Sequence, residues 1–162
     1  MALVQKASTN LFVVHAKQDR QKVQETLKDF GEVEELKGAN NLLLVHLSKD
    51  TASKKTRQSI QKRLGEGEAV HPVIVDESGQ HQYPTGEINV RFRSTPSNAQ
   101  LKKFAQEHKL RLHARNEFVP QQAIFEPVKV GERNVLEVVR EISKDKNIQL
   151  AWPNTLSRYE RI

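Results

Sequence analysis

The order of apolar runs and helix signals occurs twice in this chain, once in residues 10–76 and again in residues 86–153. Each copy reads strand, helix, strand, strand, helix, strand. A pattern repeated at this scale indicates duplicated structural units. Each unit would have only about 75 residues, near the lower limit for independent stability. We therefore expect two small α+β units, residues 1–80 and residues 81–162.

The first copy combines continuous apolar strands with helices that have a single apolar stripe. Residues 11–16 and 42–47 are the apolar runs. The helix with Val23, Leu27 and Phe30 on one line is expected to end at the glycine in position 31, and the helix with Thr56, Ile60 and Leu64 on one line at the glycine in position 65. Residues 76–86 are polar and rich in turn formers, so we expect a linker there.

The second copy opens on a strand with clean alternation. Ile88, Val90 and Phe92 alternate with Asn89, Arg91 and Arg93. Such alternation predicts one buried and one polar face. A helix is expected to start at Thr95-Pro96, with proline at the first helical position. A second helix follows Asn134, and the last strand is predicted at residues 148–152.

Two helices that each carry one apolar stripe cover only one face of a four-stranded sheet. With right-handed crossovers, this arrangement gives a ferredoxin-like unit whose other sheet face is left open. We therefore expect two tandem ferredoxin-like βαββαβ units with antiparallel sheets, each with one uncovered face. That face is either a binding surface or an ordinary solvated sheet.

No residue pattern points to catalysis or to a metal site. The chain has no cysteine, which removes thiol nucleophiles and thiolate metal ligands. Its six histidines show neither helical i, i+4 pairing with a carboxylate nor zinc-type spacing. The nucleophile-elbow, phosphate-loop and dinucleotide-binding motifs are missing as well. We therefore expect a protein that is not an enzyme and uses no cofactor.

The net charge of +6 leaves nucleic acid as an alternative partner, because a basic excess steers acidic ligands. The polar residues that could share one basic sheet face are Asn89, Arg91, Arg93, His113 and Arg115. Single-strand RNA modules of this topology stack bases on aromatic side chains. Here Phe12 and Phe125 are the only candidate platforms, and both suit a hydrophobic core. Nucleic acid is therefore not the favoured partner.

Residues 147–154 read N-I-Q-L-A-W-P-N, an apolar strand that runs into Pro-Asn. This segment resembles the closing strand of subtilisin-type protease prodomains, of the form V-x-x-A-E-P-N, with Trp152 where that family often has glutamate. Residues 84–92 look like the first strand of the family. The helix from Pro96, residues 116–120, the strand at 122–126 and the helix from Asn134 fall in its order. The chain is thus similar to fervidolysin-like N-terminal prodomains over about residues 84–162.

The resemblance implies a protein that binds a subtilisin-type serine protease, in cis or in trans, through the open sheet face. It also implies that the C-terminal tail lies along the substrate cleft, where an extended segment adds main-chain hydrogen bonds. The tail residues are Thr155, Leu156, Ser157, Arg158, Tyr159, Glu160, Arg161 and Ile162. A frayed terminus is the alternative reading of this segment.

A second predicted contact is the loop that contains Glu117, Phe118 and Val119. Phe118 and Val119 would supply apolar area to partner helices, and Glu117 would cap a partner helix at its N-terminus. The alternative is a connection packed onto its own core. No protease domain follows Ile162, so we expect either a free-standing relative or the prodomain part of a longer precursor.

The remaining expectations concern location and a further class of function. The N-terminus lacks the pattern of a secretory signal and no apolar run is long enough to span a bilayer, which predicts a cytoplasmic protein without a membrane partner. A tandem regulatory protein that binds small ligands between duplicated units is another alternative.

Overall fold

A computed structural model of the protein describes residues 6–16, 20–35, 42–47, 54–65, 68–129 and 133–157. In chain order the elements are β1 (Lys6–His15), α1 (Arg20–Leu27), β2 (Gly31–Glu35), β3 (Leu42–Leu47), α2 (Lys54–Leu64), β4 (Ala69–Val75), β5 (His81–Phe92), α3 (Asn98–Glu107), β6 (Leu110–Arg115), β7 (Gln122–Pro127), α4 (Val135–Ile142) and β8 (Ile148–Ser157). The predicted mixed α+β class is confirmed. Of the helices in these ranges, none has the length and apolar character needed to cross a membrane.

The chain divides into two compact units. The second unit consists of Gly86–Lys129 and Val135–Asn154, and the first comprises Met1–Thr85, Val130–Asn134 and Thr155–Ile162. The first has the strand order β2-β3-β1-β4, and in the second β8 pairs with β5, which is followed by β7 and β6. Counted within each unit, both orders match that of a ferredoxin-like sheet, so the fold is compatible with the predicted tandem arrangement.

In the first unit, α1 and α2 pack on one sheet face, as predicted. Their contact with the sheet centres on residues that are fully or almost fully buried. These are Phe12, Val14, Ala16, Val23, Leu27, Leu43, Val45, Leu47, Ile60 and Val70. Val23 and Leu27 come from the stripe of α1, and Ile60 from the stripe of α2.

The opposite face of the first unit is buried as well. The residues on it are Leu11, Val13, Leu42, Leu44, Val73 and Tyr83, and none is more than 4% exposed. The expectation of an uncovered second face is therefore wrong for this unit. The physical reason lies in β1 and β3, where consecutive apolar residues place apolar side chains on both sides of the pleat.

Gly31 does not end α1, as the sequence pattern suggested. The helix ends at Leu27, and Gly31 is the first residue of β2, paired with Leu47. A Cβ atom at Gly31 would lie only 1.9 Å from the carbonyl oxygen of His46. Glycine is therefore required by the close approach of two strands. Gly65, by contrast, has φ +88° directly after α2, which is the predicted helix end.

Residues 76–80 form a tight turn between two strands and residues 81–86 belong to β5, so the segment is ordered structure and not a linker, although the division between the two units at Thr85 and Gly86 falls within it. One carboxylate oxygen of Asp76 accepts hydrogen bonds from the amide and hydroxyl of Ser78, at 3.0 and 2.7 Å, and from the amide of Gln80 at 2.9 Å. Gly79 takes φ +85° in the turn. The turn formers thus close a hairpin, and β5 already begins at His81.

The second unit buries one sheet face under α3 and α4. Its core cluster joins both helices to all four strands of the unit. Three aromatic rings lie at its centre: Phe104 is 5.1 Å from both Phe92 and Phe125 between ring centroids, in edge-to-face geometry. The helix α3 starts after Ser97 rather than at Pro96, because Ser97 and Gln100 form a capping box.

Replacement of Phe125 by alanine should strongly destabilise the protein. Its side chain is fully buried between β7 and α3, so the change removes edge-to-face ring contacts and leaves a cavity. We expect the free energy of unfolding to fall by about 3–5 kcal/mol in urea titrations. Phe118→Ala is the matched control, because Phe118 is 93% exposed. A loss below about 1 kcal/mol for Phe125→Ala would contradict the packing described here.

The turn at Asp76 predicts a pH-dependent stability. The hydrogen bond from the Ser78 side chain, with further bonds from Gln80 and Gln82, lowers the pKa of Asp76 below its usual 3.8. A lowered folded-state pKa stabilises the protein above pH 3.8, and this stabilisation is lost as pH falls through the folded pKa. Thermal unfolding of wild type and Asp76→Asn should therefore differ at neutral pH and converge below pH 3.8. A difference that is constant with pH would refute this origin.

Candidate functional site

The second unit has one sheet face that α3 and α4 do not cover, and we call it the open face. Along β5, Glu87, Asn89 and Arg91 alternate with buried Ile88 and Val90, so they lie on this side. The other residues on it are Gln122, Ile124 and Glu126 of β7, Arg111 and His113 of β6, and Trp152 of β8. Those of β5 and β7 are half-buried, and Arg111 and His113 are exposed. The predicted uncovered face is therefore found in the second unit.

Carboxylates are interleaved with the basic side chains of the open face. Arg111 pairs with Glu126 across β6 and β7, at 2.9 Å from Nη2 to Oε1. The imidazole of His113 lies 3.5 Å from Glu87 through Nε2 and 4.0 Å from Glu126 through Nδ1. The amide of Asn154 donates to the other oxygen of Glu87 at 3.0 Å. The face is thus a mixed polar surface and not a uniformly basic one.

Arg91 lies between two neutral side chains of the open face. Its Nη2 donates to Oε1 of Gln122 at 3.1 Å, and Gln122 is its cross-strand partner on β7. Its guanidinium carbon lies 5.7 Å from the centroid of the Trp152 ring. This distance is within the range of a cation–π contact. No local sequence pattern identifies Trp152 as a neighbour of Arg91.

The predicted basic cluster is only partly assembled. Asn89, Arg91 and His113 lie on the open face, whereas Arg93 follows β5 and donates to the carbonyl of Lys146 at 2.9 Å. A register shift between Leu112 and Ala114 places Arg115 opposite core residue Ala123. There it donates to Asn98 at 3.0 Å and to the carbonyls of Pro96 and Pro120 at 3.1 and 3.3 Å.

The aromatic platforms considered for nucleic acid are in the cores. Phe12 is 1% exposed and Phe125 is fully buried, each in the helix-side cluster of its unit. Neither ring can stack on a base without unfolding of its unit. Of the aromatic residues that the structure describes, the half-buried Trp152 is the one on the open face, and it is therefore the one platform there for a stacked base.

The loop between β6 and β7 displays one apolar side chain on a hydrogen-bonded frame. The side-chain oxygen of Asn116 accepts from the amides of Phe118 and Val119, at 2.9 and 3.0 Å. The amide of Gln122 closes the loop on the carbonyl of Val119 at 3.0 Å. Phe118 is 93% exposed, Glu117 is exposed and Val119 is half-buried. The alternative of a loop packed onto its own core therefore does not describe Phe118.

The predicted tail is partly a strand. β8 continues to Ser157 instead of ending at Trp152, so Thr155, Leu156 and Ser157 have extended backbone. The hydroxyl of Thr155 donates to Gln82 at 3.1 Å, and Leu156 is 42% exposed. The tail residues Arg158, Tyr159, Glu160, Arg161 and Ile162 lie outside the described residues.

A carboxylate and histidine cluster that the sequence pattern did not reveal lies at the end of α3. Glu107, His108 and Asp145 bring their potential ligand atoms within 4.8 Å of one another. The cluster borders a cavity of about 220 Å³ on the helix side of the second unit. One carboxylate oxygen of Asp145 accepts a hydrogen bond from the backbone amide of Asn147 at 2.9 Å, and the other lies 3.4 Å from Nε2 of His108. These contacts fasten the end of α3 to the turn before β8.

Comparison with known proteins adds the following findings. No curated protein is significantly similar to the chain. A solved structure described as a putative glycine cleavage system transcriptional repressor aligns at 13% identity over 91% of this chain and 96% of that chain, with a TM-score of 0.25. A score this low supports no argument about fold or ligand.

Residues 69–154 match the family model of the fervidolysin N-terminal prodomain. The match covers just over half of the chain and includes the whole of the second unit. It confirms the resemblance inferred from residues 84–92 and 147–154. The chain therefore belongs to the fervidolysin N-terminal prodomain-like family.

Proposed function

We propose that this chain binds a subtilisin-type serine protease and inhibits it. Membership in a prodomain family supports a non-catalytic, propeptide-type role. The observation that carries the proposal is the open face of the second unit, a polar sheet surface inside the matched region that α3 and α4 do not cover. A partner that binds only when native is also stabilised by mass action, so the same contact assists folding of the protease.

The proposed complex has two parts. The open face packs against the surface of the protease, and the segment that follows β8 enters its substrate cleft. An extended chain in such a cleft gains main-chain hydrogen bonds as an added strand. β8 keeps the chain extended up to Ser157 and so holds the start of this segment in place. The inhibition is product-like and requires no chemistry from this chain.

The loop at residues 116–120 supplies the second contact in this proposal. The hydrogen bonds of Asn116 hold the loop in one shape, so that Phe118 is presented without loss of loop entropy. Burial of a phenylalanine side chain stabilises a complex by about 1.5–3 kcal/mol. In this proposal the exposed carboxylate of Glu117, next to Phe118 in the loop, caps the N-terminus of a helix of the protease.

The intact chain should inhibit a subtilisin-type protease with a stoichiometric end point and a nanomolar inhibition constant. Deletion of residues 158–162 leaves β8 as described and removes the part of the tail that would enter the cleft. We expect this deletion to raise the inhibition constant at least tenfold, about 1.4 kcal/mol. Initial-rate titrations with a peptide substrate measure both values.

Chymotrypsin is the control for this experiment, because it has the same catalytic triad on an unrelated fold. It should not be inhibited. An unchanged inhibition constant after the deletion would remove the tail from the mechanism. Absence of stoichiometric inhibition across a panel of subtilisin-type proteases would refute the proposed function.

Phe118→Ala should weaken inhibition by roughly 10- to 100-fold while stability stays the same, because the ring is exposed in the free protein and buried in the complex. Val128→Ala is the matched control, since Val128 is an exposed apolar residue outside the loop, 56% accessible. Equal inhibition constants for the two variants would show that the loop does not touch the protease.

A further inference from the structure

The basic side chains of the open face differ in their partners. Arg111 is paired with Glu126 at 2.9 Å, and His113 lies 3.5 Å from Glu87. Arg91 makes no ion pair with any residue that the structure describes. Its contacts are the neutral amide oxygen of Gln122 and the ring of Trp152. The charge of Arg91 is therefore available to pair with an anionic group of another molecule.

The guanidinium of Arg91 is also short of hydrogen-bond acceptors. Its Nε is buried and has no acceptor within the described part of the chain. Nη2 donates to Gln122, and Nη1 has no acceptor among the described residues. Gln122 and Trp152 hold the Arg91 side chain in place, so this side chain loses little conformational entropy when a ligand binds it.

Covering this face would make an uncompensated Arg91 costly. A charge that is removed from water without a partner strongly destabilises a complex, whereas a fork-shaped pair with a carboxylate offsets that loss. A protein that packs on the open face must therefore bring an anion to Arg91 or bind weakly. The need for an anion opposite Arg91 therefore contributes to the choice of partner as well as to affinity.

A single carboxylate fits this site better than a polyanion. Glu87 and Glu126 lie on the same face, so a chain of phosphates or an anionic membrane spread over it would meet these carboxylates as well as Arg91. A single side-chain carboxylate needs to contact Arg91 alone. Trp152 contributes to the same result, because its ring lies 5.7 Å from the guanidinium carbon and brings no charge, whereas a carboxylate at this position would neutralise Arg91 from within the unit.

We propose that Arg91, held between Gln122 and Trp152, is the receptor for an aspartate or glutamate side chain on the surface of the protease partner. The inference rests on the proposed function and deepens it, because it names the chemistry that the partner must present. Arg91 then determines which subtilisin-type proteases this chain inhibits. Proteases without an acid at the matching position are poor targets.

The test compares inhibition by wild type, Arg91→Gln, Arg91→Lys and Trp152→Glu. We expect Arg91→Gln and Trp152→Glu to raise the inhibition constant at least tenfold, and Arg91→Lys to have an intermediate effect because it keeps the charge but loses the fork. Lys102→Gln is the matched control, since it removes the same charge from the exposed side of α3. Urea unfolding of each variant checks that it is folded.

The partner side is tested with protease variants in which surface aspartates and glutamates outside the active site are changed singly to asparagine or glutamine. One of them should weaken inhibition by wild type and leave inhibition by Arg91→Gln unchanged, a coupling that a merely structural role of Arg91 cannot produce. Absence of any coupled acid would overturn the inference, as would an Arg91→Gln constant equal to that of Lys102→Gln.

The outcomes separate the two proposals. If wild type inhibits no subtilisin-type protease, the proposed function fails and this inference fails with it. If wild type inhibits but Arg91→Gln inhibits equally well, only the inference is overturned. Arg91-dependent binding of single-stranded oligonucleotides that displaces the protease would also overturn it, because the natural anion would then be a phosphate.

Discussion

The alternation of side chains along β5 is the constraint on which the second unit depends. Ile88, Val90 and Phe92 face α3 and α4, and this places Glu87, Asn89 and Arg91 on the other side of the sheet. Alternate residues of this one strand therefore contribute to the hydrophobic core and to the open face. A shift of register by one residue would exchange the two faces, so the buried phenylalanine cluster also fixes which polar groups are available to a partner.

The same strand order gives a different surface in the first unit. There β1 and β3 are apolar at consecutive positions, and both faces of the sheet are buried. A duplicated topology thus does not imply a duplicated function. The half of the chain that matches the prodomain family is also the half that keeps a polar sheet face, which is why the proposed protease contact is confined to the second unit.

Sequence patterns anticipated the element order and the helix stripes, because apolar spacing directly reports which side of an element is buried. They also contained the difference between the two sheets, since continuous runs and alternation predict different burial, although we expected an open face in both. The turn at Asp76, the capping box at Ser97 and the close approach at Gly31 depend on hydrogen bonds and contacts that local spacing does not specify. The contact of Arg91 with Trp152 requires the pairing of β5 with β8, which no local pattern contains.

The central claim is that a protease covers the open face of the second unit. Trp152 is the only tryptophan of the chain, so its indole N–H gives a single resonance in spectra of the ¹⁵N-labelled protein. The most direct measurement titrates this protein with a subtilisin-type protease whose catalytic serine is replaced by alanine. The account predicts that the Trp152 indole and the side-chain amides of Asn89 and Gln122 shift at a one-to-one ratio. Shifts confined to the first unit, or to α3 and α4, would contradict it.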